Sequence, residues 1–332
     1  MEVRRHKLAA DVKLILSRKA FDSGAGKVAN PILDDGSIIP MPIPDKQSPI
    51  RYDEIHVAGE NLGTVASELT RGRTRPDHFA HLDPDLTESA YPRQPGWRPL
   101  FGQVDAAQSV LAREGVGPGD LFLFFGWFRR VTRSAGRLQY VQGAPDLHVI
   151  WGWMQIDDLI PVGNGSHQDW MRYHPHLTSS TRGRNNTLYV AREKLTLDGV
   201  ALDLPGAGVF SHYDDRLRLT KPGASRSTWT LPGWFALDGL RPPLGYHSDP
   251  ARWTVDGDRV ELRSAARGQE FVLDTASYPE AIPWAGDLLQ VAVDSAKRRA
   301  ALAWLARDTI ENDHTMPKGV PTLKRCSGAE SQ

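Results

Sequence analysis

GPGDLFLFFGWFRRVTRSAGRLQYVQGAPDLHVIWGWMQIDDLIPV, residues 117–162, carries the plainest structural signals in the chain. It opens on Gly117-Pro118-Gly119-Asp120, turn chemistry in which proline fixes φ and glycine permits positive φ. Leu121-Phe122-Leu123-Phe124-Phe125 follows, an unbroken apolar run of strand length. Such a run reads as a strand buried on both faces, with a short buried helix as the alternative that pattern alone leaves open. A polar excursion bearing Arg129, Arg130, Arg133 and Arg137 reads as a loop or hairpin. His148-Val149-Ile150-Trp151-Gly152-Trp153-Met154-Gln155-Ile156 then reads as a second strand, and Gly152 inside it marks a bulge or a close approach to the backbone.

Outward from this pair, further short β segments occur at 13–17, 185–191, 206–210, 217–220, 227–235 and 267–274, with turn residues between them. Helical patterns cover 53–69, 104–114 and 281–308, the last broken early by Pro283 and Gly286. Strands and helices do not alternate regularly. The expectation is therefore an α+β protein around a curved, mainly antiparallel sheet that contains 121–125, 149–156 and 188–191. Residues 30–50 carry Pro31, Pro40, Pro42, Pro44 and Pro49. Each removes a backbone donor, so this segment reads as edge strand or rigid loop and delivers Asp45 and Lys46 at a defined place.

Composition bounds the function. The chain has 332 residues, with 40 Lys+Arg balanced by 40 Asp+Glu, so nucleic acid could be gripped only by local patches. Its single cysteine, Cys326, excludes a disulfide framework and a cysteine-based zinc site. No apolar run reaches membrane-spanning length, and MEVRRHKLAADV lacks the apolar core of a secretory signal. A soluble, cytoplasmic protein is expected.

Several segments are candidates for chemistry. Ser17 to Lys27 places Arg18, Lys19, Asp22 and Ser23 at a strand end. Its Gly-x-Gly is not a phosphate loop, because that motif needs GxxxxGK[ST] opening a helix and Asn30-Pro31 follows instead. His81, Asp83 and Asp85 alternate, and in extended backbone alternate side chains share a face. His174 and His176 repeat the spacing. These five are candidate ligands for a divalent metal, with turn and cap chemistry as the competing reading. Arg71, Arg73 and Arg75 are a second basic cluster, to be read as a solvated face or as phosphate contacts.

SRKAFDSGAG (17–26), PIPDK (42–46), HLDPDL (81–86), WRPLFGQ (97–103), GPGDLFLFFGWFR (117–129), DLHVIWGWMQI (146–156), NNTLYVA (185–191) and RGQEFVLD (267–274) occur in this order. Together they resemble the third of the nucleotide modification associated domain families of bacteria and phages, over about residues 13–275. The stretch 117–162 also resembles PUA-like domains of the ASCH and EVE branches, which commonly grip a nucleobase. The resemblance implies a PUA-like β-barrel core at about 117–191, flanking helices and a role tied to modified DNA or nucleotides. Residues 1–12 read as an N-terminal extension, 276–312 as a helical segment and 313–332 as a flexible tail.

Two functions follow. One is an enzyme acting on a nucleobase or nucleotide, with Lys19, Asp22, Ser23, His81, Asp83, Asp85 and Glu270 as catalytic candidates. Trp127, Trp151 and Trp153 would wall the pocket, with Arg129, Arg130, His148 and Asn186 as further base or nucleic-acid contacts. The other is a non-catalytic reader of a modified base, which needs only the aromatic walls and the arginines. Core packing is the competing reading for each tryptophan. No Ser-His-Asp order, dinucleotide fingerprint or zinc-deaminase signature is present.

Overall fold

In the computed structural model the described residues are 12–163, 167–178 and 185–313, with side chains described through residue 297. The expected N-terminal extension up to residue 11 and the tail beyond 313 lie outside them. The chain divides into two compact units, 1–293 and 294–332, and the sheets belong to the first. In chain order the main elements are β1 (Lys13–Arg18), β2 (Asn30–Ile32), α1 (Leu62–Leu69), β3 (Leu100–Gln103), α2 (Asp105–Arg113), β4 (Leu121–Ser134) and β5 (Arg137–Tyr140). They continue with β6 (Leu147–Pro161), β7 (Thr187–Ala191), β8 (Ala207–Val209), β9 (Thr228–Pro232), β10 (Trp253–Asp256), β11 (Arg259–Arg263), β12 (Glu270–Asp274) and α3 (Ala281–Asp313). No helix among the described residues is long and apolar enough to cross a membrane.

The main sheet runs β12-β1-β4-β6-β7-β3, with β2 and β5 also paired to β4 and β8 to β6. The pairs β1–β4 and β2–β4 are parallel, and the others are antiparallel. The fold is thus α+β and mainly antiparallel. The expected closed barrel is not formed: among the described residues no backbone ladder joins the end strands β12 and β3. Side chains bridge those edges instead. Glu270 Oε1 accepts from Gln103 Nε2 at 2.6 Å and from Lys19 Nζ at 2.7 Å.

The apolar run of β4 is buried on both faces because its side chains alternate. Phe122 and Phe124 pack with Phe101 at centroid distances of 5.0 and 5.3 Å, while Phe125 turns to Trp229 at 5.1 Å. Each such ring, fully buried, contributes about 1.5–3 kcal/mol. Beyond Phe125 the strand continues to Ser134 and pairs antiparallel with β5, so Arg129, Arg130, Arg133 and Arg137 lie on the two arms of a hairpin and not in a loop. In β6 the register shifts between Ile150 and Gly152, the bulge that Gly152 announces. A Cβ there would lie 3.0 Å from both the Gly208 carbonyl and a Leu86 methyl, so β8 and Leu86 approach because the side chain is missing.

Two helical expectations change. Residues 53–69 are not one helix: a turn at Ala58-Gly59, both at positive φ, joins the two-residue strands His56–Val57 and Glu60–Asn61 before α1 begins. Asn61 caps α1 by accepting from Thr64 N at 3.2 Å. Pro283 does not break α3, because it lies in the first turn, where no backbone donor is needed. The expected strand at 217–220 is a helical turn, Asp215–Leu217, followed by isolated bridges.

Two buried histidines join the β9–β11–β10 sheet to the main one. Trp229 Nε1 donates to His148 Nδ1 at 2.9 Å; His247 Nδ1 donates to the Gly245 carbonyl at 2.7 Å, and its Nε2 accepts from Ala265 N at 3.0 Å. Burial, then the charges of Arg18 and Arg226, holds His148 well below the ordinary histidine range, and burial brings His247 down to about 4. Their folded values lie below the unfolded ones, so unfolding takes up protons in acid. The stability they contribute is complete above pH ~6.5 and is lost as pH falls toward the folded values. For His247, a fall from 6.5 to about 4 at about 1.4 kcal/mol per unit amounts to roughly 3 kcal/mol. Urea denaturation should therefore show stability dropping between pH 6.5 and 4, with a shallower drop in His247→Gln; equal slopes would contradict this.

Candidate metal centre

The site is built where three segments cross β3. Ile43–Pro44 pairs with Ala80–His81, which sets Asp45 beside His81. His81 Nδ1 lies 2.8 Å from Asp45 Oδ2, and a carboxylate only accepts, so Nδ1 carries the proton and Nε2 turns the other way. The helical turn Pro175–Thr178 carries His176, whose Nδ1 is 2.6 Å from Asn186 Oδ1. Asn186 Nδ2 donates to the His176 carbonyl at 2.9 Å, so its amide oxygen is an acceptor and His176 also holds its proton on Nδ1. Gly102 of β3 donates its N–H to Asp83 Oδ1 at 2.8 Å.

Asp83 Oδ2 then faces both unprotonated nitrogens, His81 Nε2 at 3.6 Å and His176 Nε2 at 3.5 Å. Two ligands bound at 2.0–2.1 Å in a tetrahedral arrangement stand about 3.3 Å apart. The spacing therefore suits one divalent ion on His81, Asp83 and His176, whose ligand atoms all lie within 4.8 Å of one another. Asp45 and Asn186 are outer partners of the kind that fix ring orientation and tautomer in metal sites. His174 takes a different place. Its Nδ1 accepts from His176 N at 3.4 Å and its Nε2 stands 3.3 Å from Asp83 Oδ1, not aligned as a hydrogen bond.

Burial by itself raises the Asp83 carboxyl, and imidazoles of His174, His176 and His81 that turned a proton toward it would hold it well below the usual range. Burial lowers His174, against the pull of Asp83. The expected alternation of His81, Asp83 and Asp85 fails at its last member. Asp83 N bonds back to the His81 carbonyl at 2.7 Å, so the backbone is turned there and not extended. Asp85 instead takes Arg93 through both oxygens at 2.6 Å and Tyr173 Oη at 2.6 Å. Burial raises its pKa against those partners. With its oxygens engaged in this way, Asp85 is not among the residues whose ligand atoms converge with those of His81 and His176.

A narrow pocket of about 40 Å³ adjoins Asp83, lined also by Ala20, Pro42, Leu82, Pro84 and Trp151. The Trp151 indole N–H is buried without a hydrogen-bond partner among the described residues, and its ring stacks on Phe124 at 5.5 Å. Trp127 and Trp153 stand elsewhere: Trp127 donates to Asp146 at 2.9 Å under Arg226, and Trp153 donates to the Pro205 carbonyl at 3.1 Å. Asp22 Oδ1 caps its own turn, accepting from Gly24 and Ala25 at 2.7 Å, and Ser23 accepts from Arg226 at 2.5 Å. Neither is among the side chains around Asp83. Lys19 and Glu270 form a buried pair on the other face of β3, with Lys19 4.9 Å from the Phe101 ring centre and Glu270 Oε2 without a partner among the described residues. His148 is in the core, Arg129 donates to the Val141 carbonyl at 3.2 Å, and Arg130 lies over Tyr213.

The sequence points to Asn186 as a base contact, whereas the parts of Gly102 and Gln103 emerge from the structure. The WRPLFGQ segment held the signal for both, a glycine and an amide at the end of a short apolar strand.

The family profile of nucleotide modification associated domain 3 matches residues 13–274, and the chain belongs to that family. Neither curated proteins nor solved structures gave a match. A Cβ on Gly102 would lie 2.4–2.8 Å from ring atoms of His176. Gly102→Ala should therefore displace that ring and cost about 1–3 kcal/mol of stability by overpacking, read by chemical denaturation; unchanged stability would contradict this packing.

Proposed function

We propose that this protein is a metal-dependent enzyme acting on a nucleobase, free or within nucleic acid, with His81, Asp83 and His176 as the metal ligands. The observation that carries the proposal is the pair of imidazoles whose protons are fixed outward by Asp45 and Asn186 while both second nitrogens face one carboxylate oxygen. Two histidines and one carboxylate leave coordination positions open for water, oxygen or substrate, the arrangement of catalytic rather than closed structural sites. A divalent ion there supplies Lewis acidity.

The chain's own residues do the rest. Asp45 and Asn186 keep the rings in register, and Gly102 N–H holds Asp83 Oδ1. The pocket beside Asp83 is the proposed entry for the base, with the Trp151 N–H available to an acceptor on its edge. At about 40 Å³ it is smaller than a base, so substrate entry requires the proline-bearing lining to part. The family description supports the substrate class. A reader has no need of a ligand triad with its own outer partners, which is why an enzyme is preferred.

Equilibrium dialysis should give one tightly held transition-metal ion per chain. His81→Ala and His176→Ala should abolish it, while Asp45→Asn should weaken it about 10–100-fold, as outer partners do. Nucleoside mass analysis of modified and unmodified oligonucleotides should then show a product whose formation stops in His176→Ala. Base binding with no metal and no product would make the protein a reader.

A further inference from the structure

Arg71 and Arg73 meet Arg137, far away in sequence, on one surface of the protein. Arg71-Gly72-Arg73 follows α1, with Arg71 and Gly72 in the left-handed region at φ 55° and 77°. The hairpin strand β5 lies against α1, where Leu138 N donates to Glu68 Oε2 at 3.0 Å. Between them runs an open groove of about 920 Å³, lined by Thr64, Ser67, Arg71, Arg137, Gln139 and Tyr140. Arg71 and Tyr140 also line a second hollow of about 470 Å³, which Arg73 borders.

Neighbouring arginines are neutralised by acids. Arg75 pairs with Asp77, and Arg133 pairs with Glu60 at 2.6 Å and lies 4.0 Å from Glu68. Arg71, Arg73 and Arg137 are exposed and make no ion pair among the described residues. Arg73 Nε donates to the Thr70 carbonyl at 3.1 Å, which anchors that guanidinium. Glu68, the one acid among the described residues of the groove, is engaged by Leu138 and Arg133.

We infer that this groove carries the sugar–phosphate backbone of a nucleic-acid strand. Three unneutralised guanidiniums along a continuous channel with hydroxyl-bearing walls match a row of phosphates better than a single phosphate. Guanidiniums bind phosphate oxygens through paired donors, and the chain's zero net charge leaves such a local row as the means of holding a polyanion. The inference rests on the nucleic-acid half of the proposed function and is independent of the metal. It makes the substrate a polymer and not a free nucleotide.

The test is fluorescence anisotropy with a labelled 20-nucleotide DNA, single-stranded and duplex, between 50 and 200 mM KCl. It compares the wild-type protein, R71Q/R73Q/R137Q, and a charge-matched control, R113Q/R172Q/R267Q, whose arginines lie elsewhere on the surface. Three phosphate contacts give a log–log salt slope of about −2.7 on duplex or about −2 on a single strand. The groove variant should lose most of that slope and bind at least tenfold more weakly at 50 mM salt, the control should keep both, and millimolar thymidine monophosphate should not displace the strand. Absence of wild-type binding, equal weakening in both variants, or displacement by the mononucleotide would overturn the proposal. Metal content and thermal melting, measured on the same samples, separate failure of this groove from misfolding and from failure of the metal reading.

Discussion

A carboxylate stays charged away from water only where other groups share its charge, and Asp83, almost fully buried, is organised around that requirement. One oxygen is held by a backbone N–H, and the other faces two unprotonated imidazole nitrogens, where the proposed divalent ion would balance its charge. On the opposite face of β3 the same demand recurs at Glu270, 0% exposed, whose oxygen takes Lys19 and Gln103. Adjacent residues of one short strand thus serve two buried carboxylates: Gly102 by having no side chain, Gln103 by having an amide. Neighbours on a strand point to opposite faces, so β3 separates the two clusters by its own thickness.

Much of the fold was legible because it depends on local pattern. The aromatic run of β4 could be satisfied only by burial on two sides, and Gly152 is a bulge because only hydrogen fits between β6, β8 and Leu86. Sheet closure was not legible. Whether the end strands meet by backbone or by side chains is settled by Lys19, Gln103 and Glu270 coming together over separations of 167 and 251 residues, which no periodicity reports.

The site was legible residue by residue and not as a whole. His81, Asp83, His174 and His176 stood out through alternation, yet that rule assumes extended backbone; the chain turns at Leu82, and Asp85 is bridged to Leu100 and takes Arg93. It also could not rank the histidines. Asp45 and Asn186 assign the tautomers that turn His81 Nε2 and His176 Nε2 toward Asp83 Oδ2, whereas His174 faces the oxygen already held by Gly102. The arginines between β4 and β5 were grouped by nearness in sequence, but strand alternation and their acid partners scatter them. Arg137 joins Arg71 and Arg73 because β5 packs on α1.

The central claim is that one ion bridges His81, Asp83 and His176. Crystals grown with Co(II) and measured at the cobalt absorption edge test it directly. The account predicts a single strong anomalous peak about 2.0–2.2 Å from His81 Nε2, His176 Nε2 and Asp83 Oδ2. A peak elsewhere, or none while the imidazoles donate hydrogen bonds to Asp83, would contradict it.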